Sequence, residues 1–166
     1  MITQKIDKRT IYSYLDEVKD PEVPVLSVID MGIVRDVILD EGHLNVIITP
    51  TYSGCPAMDV ISLNIRIMLS TLGFKNVAVT TVLSPAWTTD WMTEEGTRKL
   101  KEYGIAPPTP KPQVCEQALF APNEAIQCPH CDSWNTHRVS EFGSTPCKAL
   151  YACDDCREPF DNFKCH

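Results

Sequence analysis

The sequence has no long apolar run and no excess of positive charge, and each absence narrows what the protein can be. No stretch approaches the twenty or so apolar residues that crossing a bilayer requires. The opening segment Met-Ile-Thr-Gln-Lys-Ile-Asp-Lys-Arg has no apolar signal segment behind it. The expected setting is therefore the cytoplasm, with no membrane partner. Lys and Arg together number 15 against 22 Asp and Glu, leaving a net charge of −7. Phosphate contact rests on clustered basic side chains, so this balance argues against nucleic acid as a partner. A dinucleotide fingerprint and an HExxH motif are also missing, and Gly143-Ser144-Thr145 lacks the glycine-rich loop and lysine that cradle phosphate. No distinctive carboxylate pair, internal repeat or low-complexity tract is present.

What the chain does have is cysteine, eight in 166 residues. Cys128-Pro-His-Cys131 and Cys153-Asp-Asp-Cys156 form two CxxC pairs. Each pair suits a tight turn that aims two thiolates at one point, and two such turns on adjacent hairpins complete the tetrahedral sulfur cage of a structural zinc site. In a cytosolic chain paired thiols bind metal more often than they oxidise, so the competing reading of two disulfides is the weaker one. Zinc is the first expectation, and such a cage also accepts iron or an iron–sulfur cluster. His130 lies inside the first turn and is read as a non-ligand. Cys147 and Cys165 flank the second pair and have three readings: core thiols, substitute ligands, or a separate pair for a second metal or cluster. Cys115 receives no role.

The pattern along the chain predicts an α+β fold. Thr10 is a candidate cap for a helix carrying Ile11, Tyr14, Leu15 and Val18 at helical spacing, ended by Asp20-Pro21-Glu22 and Pro24. Strands are expected over residues 33–39 and 43–49, joined by a turn at 40–42. The turn-rich segment 49–56 precedes a helix whose stripe is Val60, Ile61, Ile65, Met68, Leu69 and Leu72, closed by Gly73. A third strand at 77–83 and a final helix at 93–103 complete an αββαβα order. The proline-rich run 106–112 then stiffens a linker. Three parts follow: an α+β domain at 1–105, a linker at 106–124, and a zinc β-ribbon at 125–166. The ribbon is too small to fold on an apolar core alone, so its folding energy is expected to come largely from the metal.

Cys55 is the thiol in a position to do chemistry. Gly54 precedes it, Pro56 suits a first helical position, and the helix begins at once. The sulfur is thus expected at or beside an N-cap, where unsatisfied amides and the helix dipole favour thiolate. The plainer alternative is a half-buried cysteine chosen for size. Asp20, Glu22 and Asp30 reach the same face only if the tertiary fold brings them, and turn or cap duty is their ordinary reading. Trp87 and Trp91 flank Thr88-Thr89-Asp90 in a loop that reads either as core or as a docking surface.

Three runs carry a resemblance to a known family. Residues 20–34 resemble the opening loop of the iron–sulfur assembly domain of cytosolic and bacterial cluster-maturation factors, 49–57 its cysteine motif, and 85–91 its late Pro-x-Trp loop. The ribbon, with residues 141–151 and 157–165, narrows the resemblance to the PaaD family, small accessory proteins of the bacterial phenylacetyl-CoA epoxidase (ring 1,2-monooxygenase) system. The resemblance implies a cytoplasmic factor of aerobic phenylacetate degradation, not catalytic by itself, that matures or repairs the metallocentre of the oxygenase. Its implied partners are components of that system, the reductase with its flavin and plant-type iron–sulfur cluster ahead of the di-iron oxygenase. Cys55 becomes the functional cysteine, holding iron or a cluster transiently, alone or with ligands from a partner or from a second copy in a homodimer; Asp20 is a lesser candidate. Two rivals stand beside this reading: a stably bound structural or regulatory subunit with no metal transfer, and an enzyme using Cys55 as a redox or acyl-transfer nucleophile. The latter lacks a paired base.

Overall fold

An aspartate, not the expected Thr10, starts the first helix. In the computed structural model, which describes residues 7–40, 42–108 and 125–164, the Asp7 carboxylate accepts from the Thr10 amide at 2.9 Å and its hydroxyl at 2.7 Å. Thr10 thus lies within the first turn of helix α1, Lys8–Leu15. Both side chains are good cap formers, and Asp7 takes the role by accepting from the Thr10 amide, one of those left without an intrahelical partner at the helix start. Of the expected linker 106–124, residues 109–124 with Cys115 lie outside the described residues, as do the final Cys165 and His166, while Ala106 ends a strand.

Strand β1 (Val34–Asp40) pairs antiparallel with β2 (His43–Ile48) as the expected hairpin. Helix α2 (Ala57–Thr71) then crosses over, and β3 (Asn76–Thr81) returns parallel to β2 on its far side, giving the order β1-β2-β3. Alternation puts Leu44, Val46 and Ile48 of β2 in the core with Ile11 and Leu15 of α1 and Ile61, Ile65 and Leu69 of α2. Val60, expected in that stripe, is instead 45% exposed. Trp87 takes the core reading: it is buried and its indole Nε1 donates to the Met31 carbonyl at 2.9 Å. Trp91 is half-buried beneath the Arg35 guanidinium, 3.4 Å from the ring centroid. Its carbonyl also explains Gly32: a Cβ there would lie 2.1 Å from that oxygen, at a backbone φ of +65°.

Contacts divide the chain into two units, and the division is not at residue 105. The first runs through Trp87 and includes Trp91–Thr93; the second holds Thr88–Asp90 and everything from Glu94 onward. Helix α3 (Glu94–Tyr103), expected with the first domain, therefore belongs to the second. The reason is a pairing that no local pattern reveals. Immediately after α3, β4 (Ile105–Ala106) lies parallel to β7 (Pro159–Phe163), at the edge of a sheet ordered β4-β7-β6-β5. There β5 is Thr136–Ser140 and β6 is Lys148–Cys153. One apolar cluster of this unit joins Ala106, Cys128, Ala149, Tyr151, Cys153 and Phe160, with the two rings stacked 5.9 Å apart, and Leu100 and Phe163 are fully buried as well. The α+β class with a C-terminal ribbon agrees with the expectation from sequence. Among the described residues no helix is long and apolar enough to cross a membrane.

Candidate metal centre and cysteine loop

The two CxxC turns are built alike. In the first, the Cys128 amide donates to the Ser133 carbonyl at 2.8 Å, and Asp132, directly after the second cysteine, has φ +60°. In the second, the Cys153 amide donates to the Glu158 carbonyl at 3.1 Å, and Arg157 takes the same place with φ +63°. Both turns thus close five residues on through a left-handed non-glycine residue, a conformation costing about 1 kcal/mol or more each. Asp155 ties one turn to the other. Its carboxylate accepts from the Ser133 hydroxyl at 2.5 Å and the Asn135 amide group at 2.9 Å, and these bonds hold its pKa below the ordinary carboxylate value.

The geometry meets a metal's requirements. The Cys128 and Cys156 sulfurs are 3.7 Å apart, those of Cys131 and Cys153 are 3.6 Å apart, and all four lie within 4.8 Å of one another. Metal–sulfur bonds of about 2.3 Å in a tetrahedron set sulfur–sulfur edges at about 3.8 Å, close to these separations. The acid–base behaviour points the same way. The Cys156 amide, with that of Asp155, holds Cys153 down at about 7. The Ser133 amide works in that direction on Cys131 too, yet desolvation and the neighbouring cysteine sulfurs push it up to about 12. One thiolate forms readily and opposes the next, which a dication would relieve. His130 is outside the set, its ring lying against Gly104. Buried Cys147 is outside it as well, 3.0 Å from the Thr145 hydroxyl.

Cys55 sits differently. Its amide donates to the Tyr52 carbonyl at 3.3 Å, Pro56 occupies the cap, and α2 begins at Ala57, so the thiol stands one residue before the cap. A Cβ on Gly54 would meet nothing within 4 Å, so the glycine serves its φ of +84° and not a close approach. The expected low pKa is overturned. Burial is the largest influence and raises it; the Ala57 amide and Tyr52 hydroxyl favour thiolate, but Glu22 and Asp20 add repulsion, and the net shift is upward. Two carboxylates at the helix start thus oppose what the amides offer.

The fold accordingly brings Asp20 and Glu22 to Cys55. Asp20 is 4% exposed, and its carboxylate accepts from the amides of Glu22 at 2.7 Å and Val23 at 2.8 Å. That is turn duty, and it also fixes the residue carrying the second carboxylate. Asp30 is employed elsewhere, accepting from the Ser27 amide at 3.0 Å and the Thr93 hydroxyl at 3.3 Å. Among the described residues, the four-cysteine set is the one group of three or more potential ligands so closely gathered, and Cys55 is not part of it.

Comparison with known proteins agrees with this two-part construction. A family model described as iron–sulfur cluster assembly protein matches residues 8–81, and one described as PaaD zinc beta ribbon domain matches residues 112–164. A protein of Escherichia coli K12, named as a putative subunit of the 1,2-phenylacetyl-CoA epoxidase, is 51% identical over 156 residues, 93% of this chain and 91% of that protein. The chain belongs to the PaaD family. An Fe-S protein maturation auxiliary factor of Bacillus subtilis is 36% identical over 87 residues, 51% of this chain and 84% of that one. Among solved structures, a DUF59 domain from Bacillus anthracis superposes with a TM-score of 0.53 at 28% identity, covering 56% of this chain and 90% of that one. A conserved hypothetical protein of Thermotoga maritima gives 0.50 at 28%, covering 57% and 94%. The stretch matched by the zinc-ribbon model, residues 112–164, is thus the part carrying the four-thiol cage.

Proposed function

We propose that this protein is an accessory factor of aerobic phenylacetate degradation that matures or maintains the metal centre of the multicomponent phenylacetyl-CoA epoxidase. The cage of Cys128, Cys131, Cys153 and Cys156 would hold structural zinc, which supplies folding energy to the second unit and no open position for chemistry. Cys55 carries the activity, and its cargo is iron or an iron–sulfur cluster. The supporting observation is the single thiol ahead of α2 with the Asp20 and Glu22 carboxylates acting on it.

That arrangement suits a carrier. At neutral pH the raised pKa keeps Cys55 protonated, so the free thiol neither oxidises readily nor attacks. An arriving iron(II) cation enters the field of the two carboxylates that act on the sulfur; the thiol gives its proton to solvent as the sulfur–iron bond forms, and the carboxylates then favour the complex they had opposed. A single thiol, with carboxylates that act on it through charge and are not gathered with it as a ligand set, holds the cargo loosely, and loose holding permits transfer. The reductase, bearing an iron–sulfur cluster, is the favoured client.

The test is iron, sulfide and zinc per chain in anaerobically purified wild type and Cys55→Ala, with reconstitution of apo-reductase by each. We expect about one zinc in both, iron and sulfide only in wild type, and reconstitution only by wild type. Zinc alone in both, with full client activity in Cys55→Ala, would establish the other reading, a stably bound structural or regulatory subunit. That reading draws on the name of the E. coli relative, which makes it part of the epoxidase.

A further inference from the structure

Helix α2 has a second apolar face that the core does not use. Val60, Leu63 and Ile67 are 45%, 54% and 54% exposed, while Ile61, Ile65 and Leu69 are fully buried. At 100° per residue the exposed three form a ridge on the side turned away from the core. Their spacing, three then four, is the a-d-a pattern of a helix that pairs with another helix. Asp59 and Arg66 fall seven residues apart on one edge of this ridge, both exposed and neither bonded through its side chain to another described residue.

We infer that this ridge is a self-recognition surface on which two copies of the chain pair antiparallel through α2. The charges select that arrangement. In an antiparallel pair the same edge of each helix faces itself, so Asp59 of one copy meets Arg66 of the other, twice by symmetry. The register this requires sets Val60 against Leu63 of the second copy, and Ile67 against its exposed Pro56. A parallel pair would place Asp59 beside Asn64 and Arg66 beside Thr71, where no charge answers. Shifting the antiparallel pair by one heptad would set Arg66 against itself. A single register is thus both apolar along its seam and neutral along its edge.

The geometry has a consequence for Cys55, which precedes α2. Antiparallel pairing about a twofold between residues 61 and 62 puts the two thiols about 20 Å apart along the helix direction, at 1.5 Å per residue. A metal–sulfur bond spans about 2.3 Å, so the two copies would not share one cargo through this face, and each thiol works alone. Three exposed side chains supply only part of the roughly 1,200 Å² that a stable interface buries. The dimer is therefore weak and concentration-dependent.

Sedimentation equilibrium of the full zinc-loaded chain, from a few micromolar to several hundred, tests this. Wild type should show reversible monomer–dimer exchange with a dissociation constant on the order of 100 µM. Leu63→Asp should weaken it at least about tenfold by placing a charge in the seam, with circular dichroism unchanged because the residue is exposed. Asp59→Arg and Arg66→Asp should each weaken pairing, and the double reversal should restore it to within about threefold of wild type. A monomer at every concentration, a dimer indifferent to Leu63→Asp, or a double reversal that fails to restore pairing would overturn the inference. So would a wild-type monomer whose Leu63→Asp variant loses reconstitution of the reductase, since the ridge would then belong to another protein. None of these outcomes bears on whether Cys55 carries metal, which the iron and sulfide content decides.

Discussion

At the scale of single residues, the reactivity of Cys55 is set by a contest that its immediate neighbours in sequence do not display. The first residue of α2 supplies the Ala57 amide, which favours thiolate, and a helix start there follows from Gly54-Cys55-Pro56. Burial and the carboxylates of Glu22 and Asp20 decide the contest the other way, and both carboxylates come from a loop more than thirty residues earlier. The sign follows directly: a raised thiol pKa leaves Cys55 protonated at neutral pH, with thiolate appearing only above the ordinary thiol range. Peptide-resolved alkylation by iodoacetamide should therefore be slow at Cys55 near pH 7 and accelerate as pH climbs past that range. Glu22→Gln removes one raising influence, so it should lower the pKa and speed alkylation at fixed neutral pH. If the variant reacts more slowly, Glu22 does not act on this thiol as described. The sequence could name Cys55, Asp20 and Glu22 as candidates but not the direction of their interaction.

At the scale of elements, helix α2 shows what periodicity can and cannot reveal. Its fifteen residues carry apolar side chains on two faces, and spacing alone joins Val60 to the core stripe. Which face is buried depends on what packs against it, here β3 and α1. Truncation should separate the two faces. Ile61→Ala removes a fully buried side chain and should cost about 2–5 kcal/mol in denaturant unfolding of the first unit. Val60→Ala, next to it in sequence, should cost under about 0.5 kcal/mol. Comparable losses at the two positions would contradict the assigned burial. The hairpin and the cysteine turns are legible because their signals are local: alternation around a turn, and paired thiols at fixed spacing. The cap of α1 is harder to place from sequence because Asp7 and Thr10 are both competent caps and bond to each other.

At the scale of the whole molecule, the metal's reach is wider than the ribbon strands alone. Since α3 and β4 belong to the second unit, loss of the cage should release them together with residues 125–164. Stripping the metal with a strong chelator, or Cys153→Ser, should abolish amide-exchange protection across α3 (94–103), β4 and the ribbon while leaving 8–81 protected. Protection that persists in α3 after chelation would place that helix with the first unit; loss throughout 8–81 would mean that the chain folds as one cooperative body. The proposed pairing through α2 involves only the first unit and should outlast metal removal.

The sequence by itself determined the α+β class, the ribbon and its four thiols, because periodicity and ligand spacing are properties of short segments that survive without context. Tertiary structure alone decided that α3 joins the ribbon, that Asp20 and Glu22 bear on Cys55, and that its thiol is held protonated and not activated. Those three outcomes depend on groups brought together from distant parts of the chain, and on the solvent their packing excludes. Neither of those quantities is written in any one stretch of residues.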